Sequence, residues 1–215
     1  MIQITDKLIE NGWIELEEVY SKDKLLSIAR SLGNLHQHPN GEIIDTLYPT
    51  NGIKSFKGTF SNRFGYSSFP LHTDTAFWSR PSRYIVLGML NQSNCTTYLI
   101  NTKDIFKKLN KRARIAAKHS TYMINTFEGK KYTSVLFTYD KKIGFRYDPT
   151  CMVPINKDAK YFHNEFHDLL KDEKTQSIHW TGNKAVIIDN WILMHGRSKV
   201  SEHEHKRELI RIYTG

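Results

Sequence analysis

The sequence has few cysteines, no long apolar run and no low-complexity segment. Cys95 and Cys151 are too few for a disulfide framework, so we expect both to be reduced, partly buried thiols. The longest apolar runs, such as Tyr84–Leu90, are as long as a strand and too short to cross a membrane. No linker or repeat divides the chain, and Met1–Glu10 has no secretory apolar region. The sequence therefore predicts a single cytoplasmic domain over residues 1–215.

Positive charge is in excess, because 31 Lys and Arg residues against 22 Asp and Glu residues give a formal net charge of +9. The densest basic stretch, Lys107–Lys118, has apolar residues at near-helical spacing and predicts an amphipathic helix with a solvated basic face. It lacks the interleaved aromatic residues on which nucleic-acid bases stack. A nucleic-acid partner is therefore disfavoured, whereas a basic surface would attract small anionic substrates.

The first third of the chain mixes signals for several kinds of element. A short strand, Trp13–Leu16, precedes a helix that Ser21 should cap and Gly33 should end. The turn-rich stretch Pro39–Gly65 predicts a long loop or weak hairpins near an active-site mouth.

The rest of the chain is mainly strand-like, with one further helix predicted at Asp158–Lys171. Strands are predicted where β-branched and aromatic residues accumulate. These segments are Tyr84–Leu90, Thr97–Ile100, Thr121–Phe127, Ser134–Thr138, Ile143–Tyr147, Ser177–Trp180, Ala185–Asp189 and Arg207–Tyr213. Many short strands with few helices predict a mainly β fold with flanking helices (α+β), as in a β-sandwich or jelly roll.

Ten histidines raise the possibility of a metal site, but most of them lack suitable partners. His163 and His167 are four apart on a predicted helix, yet Glu165 is not where a zinc-protease motif requires its glutamate. We expect both to be surface histidines. Six others have no third donor at a suitable spacing and are expected in solvated loops or as isolated residues: His36, His38, His119, His179, His203 and His205.

His72 and Asp74 differ from these, because they lie in a short apolar segment with no other charged residue. Side chains two apart on an extended strand project to the same face, so both can bind one ion. His195 follows an apolar strand and precedes Gly196, which places a third donor at a strand end. Two imidazoles and one carboxylate are the ligands of non-haem iron(II) oxygenases, and zinc is the alternative metal for the same donors.

Arg207 and Arg211 are four residues apart on the last predicted strand and would therefore share a face. Arginine binds carboxylates through two parallel hydrogen bonds and keeps its charge when partly buried. The pair is consistent with a dicarboxylate co-substrate, and an exposed polar strand face is the alternative.

Taken together, three motifs resemble those of the iron(II)/2-oxoglutarate-dependent dioxygenases of the TauD/TfdA (taurine dioxygenase, clavaminate synthase-like) superfamily. They are His72-Thr-Asp74, Asp189–Arg197 with its His-Gly-Arg tripeptide, and Arg207-Glu-Leu-Ile-Arg211. The helix that ends at Gly33 is also similar, whereas the central portion matches weakly. The resemblance implies a double-stranded β-helix (jelly roll, cupin-like) and, because the chain is short, a reduced lid between the two halves of the triad.

The resemblance also implies roles for individual residues. His72, Asp74 and His195 would bind iron(II), and Arg207 would pair with the distal carboxylate of 2-oxoglutarate. Thr97, or its neighbour Thr96, matches a threonine that binds the same carboxylate, although the Gly-Gly that precedes it in relatives is absent. Arg211 matches an arginine that lies near the co-substrate or contacts an anionic substrate.

The function implied is hydroxylation of a small polar metabolite, such as an amino acid, with dioxygen consumed and succinate and carbon dioxide released. Halogenating relatives replace the carboxylate ligand, so the presence of Asp74 favours hydroxylation. An alternative is the same chemistry on a nucleotide or another phosphorylated metabolite. From other classes, a non-catalytic barrel for an anionic ligand and a zinc hydrolase are less favoured. Substrate specificity is expected to depend on Pro39–Ser68 and on parts of Phe127–Thr150.

Overall fold

The computed structural model of the protein describes residues 2–53, 55, 57, 59–126, 129–201, 204 and 207–215, with the side chains of residues 2–5 excepted. The helices in these residues are α1 (Ile2–Asn11), α2 (Lys22–Leu32), α3 (Phe60–Phe64), α4 (Thr102–Lys108), α5 (Lys111–His119) and α6 (Lys157–Asp172). None of them is long and apolar enough to cross a lipid bilayer.

Short strands dominate the rest of the described chain. They are β1 (Trp13–Leu16), β2 (Leu35–His36), β3 (Ile44–Leu47), β4 (Phe69–His72), β5 (Tyr84–Met89), β6 (Gln92–Asn101), β7 (Tyr122–Thr126), β8 (Gly129–Thr133), β9 (Leu136–Tyr139), β10 (Lys142–Phe145), β11 (Met152–Pro154), β12 (Gln176–Thr181), β13 (Lys184–Asp189), β14 (Leu193–Arg197) and β15 (Leu209–Thr214). The predicted mainly β fold with flanking helices is confirmed.

Two antiparallel sheets in the described residues face each other and form the barrel. The larger one has the strand order β1-β13-β5-β15-β2, with β3 also paired to β15, and the smaller one has the order β12-β6-β14-β4. Apolar side chains from both sheets, among them Leu87, Leu99, Trp180 and Leu193, form one buried cluster between them. Because side chains alternate along each strand, the same inward face also receives polar residues of β14 and β15.

Helix α2 covers the outer face of the larger sheet. It is capped by Ser21, whose side chain accepts a hydrogen bond from the backbone N–H of Lys24, and it ends at Gly33. Both features were predicted. Leu25 packs into the sheet so closely that a Cβ on Gly88 of β5 would lie 2.3 Å from it, and this glycine therefore lets the helix approach the strand.

Helices α4, α5 and α6 pack outside the smaller sheet, around a second buried cluster that includes Phe162 and Phe166. The single amphipathic helix predicted around Lys107–Lys118 is wrong, because α4 and α5 are separate elements. Leu109 is extended (ψ 140°), and the Asn110 side chain caps α5 by accepting from the backbone N–H of Ala113 at 2.8 Å.

The prediction that His163 and His167 lie on the surface is also wrong. Both are half-buried on the inner face of α6, where their ring centroids are 4.3 Å apart. The phenol of Tyr147 forms a hydrogen bond with Nε2 of His167. The histidines point inwards because the apolar residues that bury α6 lie on the same side of the helix.

The segment Pro39–Gly65, predicted to be a long loop or weak hairpins, contains the strand β3 and the helix α3 in its described residues. The structure also begins the last strand two residues later than predicted, at Leu209, so that Arg207 precedes it. Phe127, at the end of a predicted strand, and the pair His203 and His205 lie outside the described residues.

Candidate metal centre

The three predicted ligands come together inside the barrel. His72 at the end of β4 lies opposite His195 of β14 in the strand register, and Asp74 follows two residues after His72. Nε2 of His72 lies 3.3 Å from Oδ1 of Asp74, and Nε2 of His195 lies 3.8 Å from the same oxygen. One ligand atom from each residue lies within 4.8 Å of the others, and all three side chains are buried. This geometry suits one metal ion bound by two nitrogens and one oxygen.

Gly196 allows the two histidine-bearing strands to approach each other. A Cβ at this position would lie 2.7 Å from the backbone oxygen of Phe69 on β4, closer than real Cβ contacts. The glycine in the His-Gly-Arg tripeptide is therefore explained by close packing of β4 against β14.

A backbone carbonyl orients the imidazole of His72. Its Nδ1 lies 2.9 Å from the backbone oxygen of Pro70, so we assign the proton to Nδ1. The lone pair of Nε2 is then directed towards Asp74 and available to a metal. Such a bond to the remote ring nitrogen is the usual way in which proteins fix a metal-binding histidine.

The carboxylate of Asp74 is held from one side only. Its Oδ2 accepts hydrogen bonds from Nη1 of Arg211 at 3.0 Å and from the phenol of Tyr213 at 2.9 Å. The backbone of Asp74 forms two hydrogen bonds with the Asn190 side chain, each 2.9 Å long. Oδ1 thus faces the two histidines while Oδ2 is fully engaged, which favours monodentate metal binding.

The charges of the site favour an ionised Asp74. Although burial opposes ionisation, the Arg211 guanidinium and the two imidazoles hold the pKa of Asp74 well below its usual value. Burial, followed by the charge of His72, lowers the pKa of His195 to about 3. The carboxylate is therefore anionic and His195 neutral at physiological pH, which are the protonation states that metal coordination requires.

Arg211 is not free to point at a ligand by itself. Its Nη2 donates to Oδ2 of Asp45 at 2.9 Å, so the guanidinium bridges Asp45 and Asp74. His38 stacks on Tyr213 with ring centroids 4.2 Å apart and is only 3% exposed. The expectation that His38 lies in a solvated loop is therefore wrong, because β3 and the inward face of β15 enclose it.

Arg207 has the opposite environment. Its Nε and Nη2 atoms are buried without a hydrogen-bond partner among the described residues. Burial lowers the pKa of its guanidinium, which Cys95 and Glu204 partly offset. A buried guanidinium without acceptors is costly, and an anionic ligand would satisfy it.

The structure distinguishes between the two candidate threonines of β6. Thr97 is 3% exposed and alternates with the buried residues Cys95 and Leu99, whereas Thr96 points to the other face. The Thr97 hydroxyl accepts a hydrogen bond from Nε1 of Trp180 at 3.0 Å, so its own proton remains available to an inward ligand.

The sequence interpretation missed four residues at this centre: Asp45, Phe60, Asp148 and Tyr213. Tyr213 was the easiest to find, because it is two residues from Arg211 on the same strand face. The position of Asp45 at the site could not be predicted from the sequence, because it depends on the pairing of β3 with β15, which places Asp45 opposite Arg211. Asp148 is buried and acts with Asp74 to raise the pKa of His72 against the effect of burial.

The chain is similar to known proteins along almost its whole length. A model of the taurine catabolism dioxygenase TauD, TfdA family matches residues 11–213. No curated protein sequence matches the chain. An asparagine oxygenase, solved with Fe(II), 2S,3S-3-hydroxyasparagine and succinate, has a similar structure with a TM-score of 0.81. It is 15% identical, and the match covers 99% of this chain and 78% of that one.

Two further solved structures share the fold. The non-heme iron oxygenase OrfP, in complex with Fe, succinate and (3S)-hydroxy-L-Arg, has a TM-score of 0.74 and 15% identity, covering 100% of this chain and 78% of that one. PvcB is an Fe, alpha-ketoglutarate dependent oxygenase from an isonitrile synthetic pathway, and its structure has a TM-score of 0.73 and 14% identity. The match covers 99% of this chain and 79% of that one. PvcB comes from Pseudomonas aeruginosa. At such identities these structures establish the fold alone.

Proposed function

Because this chain belongs to the taurine catabolism dioxygenase TauD, TfdA family, we propose that it hydroxylates a free amino acid or a close derivative. The family establishes the enzyme class, an iron(II)/2-oxoglutarate-dependent dioxygenase, and its cofactors. It confirms the resemblance stated from the sequence. The substrate and the role of each residue belong to the proposal.

His72, Asp74 and His195 would hold the iron(II) ion. The donor set fits this metal, since two imidazoles and one carboxylate leave coordination positions for co-substrate and dioxygen. Zinc sites with three protein ligands typically keep a single open position, and they need a general base to activate water. Asp74 would itself be a metal ligand through Oδ1, and its Oδ2 accepts from Arg211 and Tyr213, so it is not available as that base.

Arg207 and Thr97 would bind the distal carboxylate of 2-oxoglutarate. The support for this assignment is the pair of buried Arg207 nitrogens that have no acceptor among the described residues. A carboxylate accepts two parallel hydrogen bonds from a guanidinium, and the Thr97 hydroxyl can add a third. When bound, iron(II) would activate dioxygen with electrons from the oxidative decarboxylation of 2-oxoglutarate, one oxygen atom going to succinate and the other into a C–H bond of the substrate.

The ion pair of Arg211 with Asp45 is the observation that favours an amino acid. It places a cation and an anion 2.9 Å apart next to a metal ligand. The carboxylate and ammonium groups of an α-amino acid have the complementary charges. Arg211, whose buried Nε has no hydrogen-bond partner among the described residues, would take the first and Asp45 the second. Asparagine oxygenase and OrfP, which share the fold, were solved with a hydroxylated asparagine and a hydroxylated arginine.

The contributions of the protein are orientation and exclusion of water. Tyr213 and Arg211 fix Asp74, and the carbonyl of Pro70 fixes His72, so the ligand atoms are held before any metal enters. A buried, preorganised site keeps bulk water away from the reacting groups. The substrate would be positioned by its charged end while its side chain faces the metal.

The test is a screen for amino acids that stimulate succinate formation from 2-oxoglutarate in the presence of iron(II) and dioxygen. We expect stimulation by one or a few amino acids and a mass increase of about 16 Da, one oxygen atom, in the amino acid. The D74A variant should show neither, because the metal loses its anionic ligand. An exposed-carboxylate control, D168A, should behave like the wild type, since Asp168 contacts Lys171 on the surface.

The same screen includes nucleotides and other phosphorylated metabolites, which the net positive charge keeps as the second candidate class. Stimulation by these compounds, lost at high salt, would replace the amino acid in the proposal. Succinate formation that persists in D74A would contradict the assignment of the metal ligands.

A further inference from the structure

Phe60 lies directly against a proposed metal ligand. Its ring centroid is 4.0 Å from that of His72, and the two ring planes make an angle of 30°. His195 lies 4.4 Å from His72 at an angle of 47°. The imidazole of His72 is therefore stacked on an aromatic ring from outside the barrel strands, in addition to the hydrogen bond at its Nδ1.

The helix that carries Phe60 is held in place locally. The Thr59 side chain caps α3 by accepting from the backbone N–H of Asn62 at 3.2 Å, and the Asn62 side chain donates to the backbone oxygen of Gly52 at 3.1 Å. The Gly52 backbone packs so tightly against α3 that a Cβ there would lie 2.7 Å from the oxygen of Ser61. The turn containing Gly52 is thus packed against the short helix.

Arg197 ties the other end of α3 to the second ligand-bearing strand. Its Nη2 donates to the backbone oxygen of Gly65 at 2.6 Å, and its guanidinium carbon lies 3.6 Å from the centroid of the Phe69 ring. Arg197 is two residues after His195 on β14. The helix is consequently linked to both strands that carry the histidines, at β4 through His72 and at β14 through Arg197.

We propose that Phe60 is a positioning residue for His72, and that α3 covers the metal centre on the side where Phe60 stacks. This inference rests on the proposed function, because it assumes that His72 binds the metal. The flat ring restricts rotation of the imidazole about its side-chain bonds, which a hydrogen bond to one nitrogen does not do alone. It also removes water from one face of a ligand, so that a dissociating metal ion is less readily rehydrated.

The experiment follows the loss of metal, not turnover. Anaerobically prepared protein is loaded with Co²⁺, mixed with excess EDTA, and followed by the visible absorption of the bound ion. We expect F60A to release the metal roughly 3- to 10-fold faster than the wild type, the range that corresponds to one aromatic pair. F60Y, which keeps the ring, should restore the wild-type rate and absorption spectrum.

Phe64 provides the matched control. It belongs to the same helix and contacts Phe60 and Phe69, with centroids 5.8 Å and 5.9 Å away, but no contact with His72 is recorded for it among the described residues. F64A should therefore release Co²⁺ at the wild-type rate. Thermal unfolding of each metal-free variant shows whether α3 substitutions act through global stability.

The outcomes distinguish a failure of the proposed metal site from a failure of the role proposed for Phe60. Wild-type protein that binds no Co²⁺, or H195A that retains it, would overturn the proposed metal site and this inference with it. Wild-type protein that binds Co²⁺ while F60A and F64A release it equally fast would overturn this inference alone. Failure of F60Y to restore the rate would also overturn it, since a stacked ring would then not be the cause.

Discussion

Arg207 and Arg211 are four residues apart and both are largely buried, yet their surroundings are opposite. Arg211 bridges two carboxylates, those of Asp45 and Asp74. Arg207 has two buried nitrogens without an acceptor in the described part of the chain. A buried cation that is already paired with two carboxylates helps to hold the fold, whereas one with two unpaired nitrogens and no ion pair among the described residues indicates a ligand that completes it. This contrast separates the residue that orients the site from the one that we expect to bind the co-substrate.

The largest effect should come from removing the paired arginine. R211M leaves Asp45 and Asp74 buried close together without their cation, so the free energy of unfolding should fall by about 3–5 kcal/mol in the metal-free protein. Urea denaturation followed by fluorescence measures this change. R207M is the matched control and should unfold within about 1 kcal/mol of the wild type, since its loss breaks no ion pair. Equal destabilisation by both substitutions would contradict the contrast between the two arginines.

The second effect is on the co-substrate. R207M should raise the KM for 2-oxoglutarate about 10- to 100-fold, because charge-assisted hydrogen bonds to the distal carboxylate are lost. The KM for the amino acid should change little. Initial-rate measurements with each substrate varied separately test the split. A rise in the amino-acid KM alone would exchange the proposed roles of Arg207 and Arg211.

A third, smaller effect concerns pH. Burial, and after it the charge of Arg211, lowers the pKa of His38 to about 4 from its usual 6.5. The unfolded chain therefore binds one proton more than the folded protein between these values, and stability falls as the pH drops from about 6.5 to about 4. The contribution of His38 to this loss of stability should be about 3 kcal/mol.

The unfolding free energies of wild type and H38Q at several pH values test this share. We expect a flatter dependence for H38Q in that window than for the wild type. H119Q, a substitution of an exposed histidine at the end of α5, is measured as the control. Parallel curves for the wild type and H38Q would show that burial does not lower the pKa of His38 in the folded protein.

The smallest effect should distinguish Thr97 from Thr96. T97V removes a neutral hydrogen bond to the 2-oxoglutarate carboxylate, so the KM for 2-oxoglutarate should rise about 3- to 10-fold. T96V, which alters the opposite face of β6, should leave it unchanged. The measurement is made below the unfolding temperature of both variants, since T97V also removes the acceptor of the Trp180 N–H. A larger effect in T96V would reverse the assignment.

Local patterns were sufficient to predict much of the structure. Ser21 and Gly33 marked the ends of α2, because capping depends on neighbouring residues only. By contrast, β4 ends at His72, so Asp74 lies beyond the strand on which the alternation argument had placed it. The ion pair of Arg211 with Asp45 could not be predicted in this way. Its partners are 166 residues apart and meet through the pairing of β3 with β15, which no local signal specifies.

Burial was the second property that the sequence did not reveal. A histidine in a polar stretch has the same local sequence whether or not another segment covers it. His38 became buried through its stacking on Tyr213, and His167 through its hydrogen bond with Tyr147. Likewise, the basic stretch predicted to form one helix divides at Leu109, because Asn110 is a better cap than a helix-interior residue. The burial of the two histidines depends on tertiary contacts, whereas the break before Asn110 follows from a local capping signal.

The geometry of the metal ligands is sensitive to any side chain at Gly196, although this residue binds no metal itself. The oxygen of Phe69 occupies the space that a methyl group at this position would need. The substitution G196A should therefore push β4 away from β14 and increase the distance between His72 and His195. It would do so without altering any atom that binds the metal. In a library with all substitutions at every position, we expect this residue to tolerate change as poorly as the ligands themselves. The distances between the three ligands thus depend on the missing side chain of Gly196 as much as on the ligands themselves.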